Sequence, residues 1–148
     1  MRTKPLAAVL TLMIASLAAP ALAQDASGGA GSESGRDGSE MRPVTPEQVR
    51  HWRVIEETVA GIAYCNRRDF LDPAYALPVL DWSGRHTDAE GRPLTSGYAR
   101  AVREAVERRR ALGGEVPASD CARFDGEAGA GTREAFVRAV EDLGIAAP

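Results

Sequence analysis

Apolar residues return at every third or fourth position along the first folded stretch of this chain. From Val49 they run through Trp52, Ile55, Val59, Ile62 and Cys65, while Glu47, Arg50, Arg53, Glu57 and Arg67 fall largely on the other side. That period is the mark of an amphipathic helix with one face in a core. Its start is well signalled: Thr45 as N-cap, Pro46 at the first helical position and Gln48 completing a capping box. The pattern predicts a long helix from Pro46 to about Asn66. Gly61 within it costs about 1 kcal/mol relative to alanine and is expected to mark a close helix crossing.

Next come Phe70, Leu71, Tyr75, Leu77, Val79, Leu80 and Trp82, crowded together but interrupted by Pro73 and Pro78. Two prolines argue against a long helix, so this stretch is expected to be one turn capped by Asp72, followed by an irregular apolar segment across the helices. Gly84 to Thr95 reads as a polar loop. Thr95 or Ser96 is expected to cap a second helix, with Tyr98, Ala101, Val102, Ala105, Val106, Arg109 and Leu112 as its buried stripe and Gly113-Gly114 as its stop. A short helix follows, capped by Ser119, carrying Cys121 and Phe124 inward and stopped by Gly126. Thr132 is expected to cap the last helix, whose Phe136, Val137, Val140 and Leu143 share a face, with Gly144 at its end and Gly129-Ala130-Gly131 as the turn before it. No alternating run is long enough for a convincing strand. The expected class is all-α: a small helical bundle of three main helices plus one or two short ones.

The N-terminus has a different character. Arg2 and Lys4 precede an uncharged run from Pro5 to Leu17, and Ala21-Leu22-Ala23 precedes Gln24. This is the form of a secretory signal peptide, residues 1–23, with cleavage expected after Ala23 and a periplasmic or secreted product. The apolar run is too short for a membrane span, and no cysteine offers a lipid attachment site. Residues 24–42 are rich in glycine, serine and small residues and read as a disordered linker, leaving 43–148 as the helical domain. The formal charge of −3 includes Arg2 and Lys4, so the processed chain is more acidic still. An acidic domain argues against general nucleic-acid binding. The expected partner is an unidentified protein or peptide, with no membrane insertion and no cofactor.

Two cysteines, Cys65 and Cys121, lie far apart in sequence on apolar helix faces, and export to an oxidising compartment makes a structural disulfide between them the economical reading. A catalytic dithiol would want them close, as in Cys-x-x-Cys. His51 has Ile55 where a zinc helix would place its second histidine, and about 21 Å of helix separates it from Cys65. In the loop, His86, Asp88 and Glu90 alternate ahead of Gly91 like the opening of an EF-hand. The first position of such a loop then lacks a carboxylate, Pro93 holds the eighth and Gly97 the twelfth, so these three residues are only weak metal candidates. Arg108, Arg109 and Arg110, with Arg100 and Arg103, make the second helix basic, yet consecutive helical residues point about 100° apart and Glu104 and Glu107 interleave, which favours a solvated face.

Over Thr45 to Leu143, on Cys65, Cys121 and the helix pattern, the chain resembles small exported bacterial proteins of unknown function that pair two distant cysteines across a helical domain. More distantly it resembles the periplasmic acid-stress chaperones. The resemblance implies an architecture and leaves two functional expectations. One is a non-enzymatic binding or interaction module, chaperone-like, with Phe70, Tyr75, Leu77, Val79, Leu80 and Trp82 either completing the core or forming a contact surface. The other is a small metal-dependent or hydrolytic enzyme built on His86, Asp88 and Glu90.

Overall fold

A computed structural model describes residues 40–147, so the expected signal peptide and nearly all of the linker lie outside the described residues. Helix α1, Pro46–Cys65, begins as its sequence dictates: the Thr45 hydroxyl accepts from the Gln48 amide at 3.2 Å, and the Gln48 side chain accepts from the Thr45 amide at 2.9 Å. It ends where Asn66 turns left-handed at φ 54°.

The proline-broken stretch is more regular than its composition suggests. Asp72 caps a 3₁₀ turn, Pro73–Tyr75, by accepting from the Ala74 amide at 2.9 Å, and the turn runs directly into α2, Ala76–Gly84. The expectation of an irregular segment is thereby corrected. Pro78 is the third residue of α2, within the first turn, where no helix amide has an intrahelical acceptor to lose.

Helix α3, Leu94–Ala111, starts earlier than the threonine and serine suggested, with Pro93 at the N-cap and no side-chain cap at all. Leu94 is buried at that first position, and the burial replaces the expected cap by Thr95 or Ser96 as the anchor. At the far end Gly113 donates to the Arg110 carbonyl and Gly114 to that of Arg109, the paired bonds of a Schellman motif. Leu112, expected on the buried stripe, is instead half exposed beside that turn. The short α4, Ala118–Cys121, has Pro117 rather than Ser119 at its cap and continues into a 3₁₀ turn through Phe124.

Gly126 does not stop this segment but opens α5, Gly126–Asp142, so Gly129 and Gly131 lie within a helix rather than in a turn before Thr132. Close packing explains the difference. A Cβ on Gly129 would stand 2.7 Å from the Phe124 carbonyl oxygen, so only glycine lets the helix pass there. Thr132, freed from capping, donates its hydroxyl to the Arg123 carbonyl at 2.7 Å. A second Schellman motif closes α5, with Ile145 donating to Val140 and Gly144 to Glu141.

Helices α1, α3 and α5 form the body of the bundle, with α1 packed against both others. Trp52, Ile55, Val79, Phe136 and Val140 centre the core, and Trp52 and Trp82 stack with ring centroids 5.6 Å apart. A second cluster sits at the other end of α1, where the Phe124 ring lies against Gly61 and meets Phe70 edge-on at 5.0 Å. Gly61 thus makes room for an aromatic ring from the 3₁₀ turn rather than for the helix crossing expected of it. The Cys65–Cys121 disulfide, with Cα atoms 5.7 Å apart, fixes that end. Around it Tyr64 donates to Asp120 at 3.0 Å and Arg67 to Asp125 at 2.6 Å. Two short strands, β1 (Arg42–Pro43) and β2 (His86–Thr87), pair in parallel and tie the entry of the chain to the loop before α3.

Candidate functional site

The Phe70 to Trp82 segment divides between the interior and the surface. Phe70, Val79 and Trp82 are buried, and Tyr75 is half-buried with its ring edge-on to Phe136 at 5.5 Å. Only Leu77, 77% exposed, and Leu80, 39% exposed, face outward. The apolar crowding therefore serves the core first, with two leucines left on the outer face of α2.

The loop carrying His86, Asp88 and Glu90 uses each of those side chains locally. The His86 ring stacks on Trp82 with centroids 3.9 Å apart, and its Nδ1 lies 2.7 Å from the Trp82 carbonyl oxygen. Asp88 accepts from the Glu90 and Arg92 amides at 3.0 and 2.8 Å and from the Arg92 guanidinium at 2.8 Å. The Arg92 backbone bond, together with its guanidinium, holds the Asp88 carboxyl below the ordinary aspartate range, and burial opposes this only in part. Glu90 accepts from the same arginine at 3.0 Å. Among the described residues no cluster of His, Cys, Asp or Glu converges in a way that would hold a metal. His51 is also used structurally, its Nδ1 lying 3.3 Å from an Asp142 carboxylate oxygen at the end of α5.

A large concavity lies elsewhere, between the C-terminal halves of α1 and α3. It is an open hollow of about 870 Å³, comparable in volume to pockets that take small molecules. Its floor is Val59, Ile62 and Ala63 from α1 and Val106 from α3. Gly113 and Gly114 close one end without side chains, because the Schellman motif at the end of α3 places both at positive φ. Arg109 and Arg110 stand on the α3 wall, and Arg68, just beyond α1, stands on the other.

Val59, Ile62 and Arg68 also line a smaller hollow of about 150 Å³ that continues under Tyr75, Val79 and Tyr98 to Phe136. The two share Val59 and Ile62 as apolar floor and Arg68 as a common wall residue; Arg109 and Arg110 line only the larger hollow, and Asp72 only the smaller. None of the ion pairs among the described residues involves Arg68, Arg109 or Arg110. Both helices end here, and each C-terminus carries about half a negative charge, so three guanidiniums leave the cleft distinctly positive. Arg108, by contrast, turns away and sits over the Tyr64 ring at 5.4 Å.

Periodicity along α3 accounts for Val106 and for the scatter of Arg108 away from its neighbours. It does not show that Arg68, from a different element, joins Arg109 and Arg110 around one floor. A further concavity of about 210 Å³ lies beside Trp52, between Glu56 and Arg100. There burial raises the Glu56 carboxyl above the ordinary glutamate range, and the Arg100 charge works against the shift.

Fold and site together define a small, disulfide-stapled, all-α bundle with an apolar cleft rimmed by arginine. Comparison with protein-family models, curated proteins and solved structures finds no match to this chain.

Proposed function

We propose that this protein is an exported, non-enzymatic binding module, chaperone-like in that it shelters an apolar moiety of another molecule, and that it does so in the cleft between α1 and α3. The observation that carries the reading is the cleft itself: an open hollow of about 870 Å³ with an apolar floor, cations along its walls and a disulfide holding the adjoining end of α1. A side-chain-lined hollow of that size binds by excluding water from apolar surface, and the arginines set orientation. The leader sequence 1–23 supports export to the periplasm or beyond. The local bonding of His86, Asp88 and Glu90 favours a structural use of that loop over metal chemistry.

Native mass spectrometry of the full chain, exported by a bacterial host and purified without chelator, tests the reading. A co-purifying organic adduct on the wild type, lost when Val106→Phe fills the cleft, is the expected result. A stoichiometric metal adduct, or an organic adduct indifferent to Val106→Phe, would overturn it.

A further inference from the structure

Resting on that binding reading, we infer that the cleft is built for a single-chain acyl anion: a fatty-acid carboxylate whose chain lies along the floor while Arg109, Arg110 and Arg68 hold its head. Three features of the site lead there. The first is its charge. Three guanidiniums edge the larger hollow, no acidic side chain lines it, and none of the three arginines takes part in an ion pair among the described residues. A guanidinium meets a carboxylate through two parallel hydrogen bonds, which suits an anionic head better than a neutral one.

The second is the shape. Val59, Ile62 and Arg68 line both the larger hollow and the smaller one beside Tyr75, Tyr98 and Phe136, so apolar surface extends from the Arg109–Arg110 wall towards Phe136, with Arg68 and Asp72 also lining the smaller hollow. The third is the chemistry of the floor. Val59, Ile62 and Val106 lie inside α1 and α3, where backbone amides and carbonyls pair within the helix, so this part of the floor presents side chains and no sheet edge to an extended peptide. An acyl chain has no backbone to satisfy and loses nothing by lying there. A peptide would leave its own amides unpaired against Val59, Ile62 and Val106.

Laurate, dodecanol and anionic phosphatidylglycerol vesicles are the probes, applied to the full chain, with circular dichroism confirming that each variant is folded. Isothermal titration below the aggregation threshold of laurate is expected to show one laurate per chain and dodecanol at least tenfold weaker. Arg109→Gln combined with Arg110→Gln should weaken laurate at least tenfold and leave dodecanol within twofold. Val106→Phe should abolish binding of both. Dodecanol binding as tightly as laurate, still sensitive to Val106→Phe, would overturn the anion requirement and leave the binding module standing. Laurate binding that survives Val106→Phe, or association with vesicles alone, would overturn the assignment of the acyl chain to this cleft. Absence of one-to-one laurate binding would overturn it as well.

Discussion

At the scale of single residues, the fate of each aromatic and leucine in the Phe70 to Trp82 segment decides what that segment does. Trp82 lies between Trp52 and His86 in a continuous stack and is 5% exposed. Trp82→Ala should therefore cost about 3–5 kcal/mol, as core aromatic truncations do. Leu77→Ser, at a position 77% exposed, should stay within about 0.5 kcal/mol. Urea unfolding of both variants followed by circular dichroism separates the two. Asp88 makes a different statement. Its carboxyl titrates below the ordinary range because the Arg92 backbone and guanidinium bind its charged form, so its contribution is fully present above the unfolded value, about pH 4. That contribution should fade as pH falls through the depressed folded value. Asp88→Asn should flatten this acid limb of the stability profile, measured by thermal unfolding between pH 2 and pH 6.

Single elements show where a pattern in sequence suffices and where packing overrules it. Helix α1 is legible from its start because period and capping box agree, and the existence of the other two long helices and the disulfide partners also follows from sequence. The start of α5 is not legible, because Gly126, Gly129 and Gly131 all weigh against helix in isolation. What outweighs them is contact with a segment already in place: Phe124 and Phe70 press against the helix at Gly129. The two glycines should then respond in opposite ways. Gly129→Ala puts a Cβ 2.7 Å from a carbonyl oxygen and should destabilise by about 1–3 kcal/mol. Gly131→Ala meets nothing within 4 Å and should stabilise by about 0.5–1 kcal/mol. Denaturant midpoints of the two variants check the pair. In α2 the missing information is positional, since Pro78 is harmless only because the helix begins two residues before it. The cleft escapes sequence reading for a related reason: Arg68 and Arg109 become neighbours only once α1 and α3 have packed.

Across the whole molecule, one covalent link and one hollow are related. The disulfide closes a 56-residue separation, for which chain entropy alone gives about 4 kcal/mol. It holds the end of α1 to α4, close to the place where α1 turns away at Asn66 and the cleft opens beside it. Replacing Cys65 and Cys121 together by alanine should lower stability by roughly 2–4 kcal/mol in guanidinium unfolding, relative to the oxidised wild type. A lean core of few aromatics makes that loss large against the 5–15 kcal/mol typical of a domain. The proposed binding site lies between α1 and α3. Amide chemical-shift mapping of the isotope-labelled full chain titrated with laurate tests it most directly. Binding in the cleft should concentrate the shifts at Val59, Ile62, Ala63, Val106, Gly113 and Gly114. Shifts confined to Leu77 and Leu80, or to the His86–Glu90 loop, would contradict it.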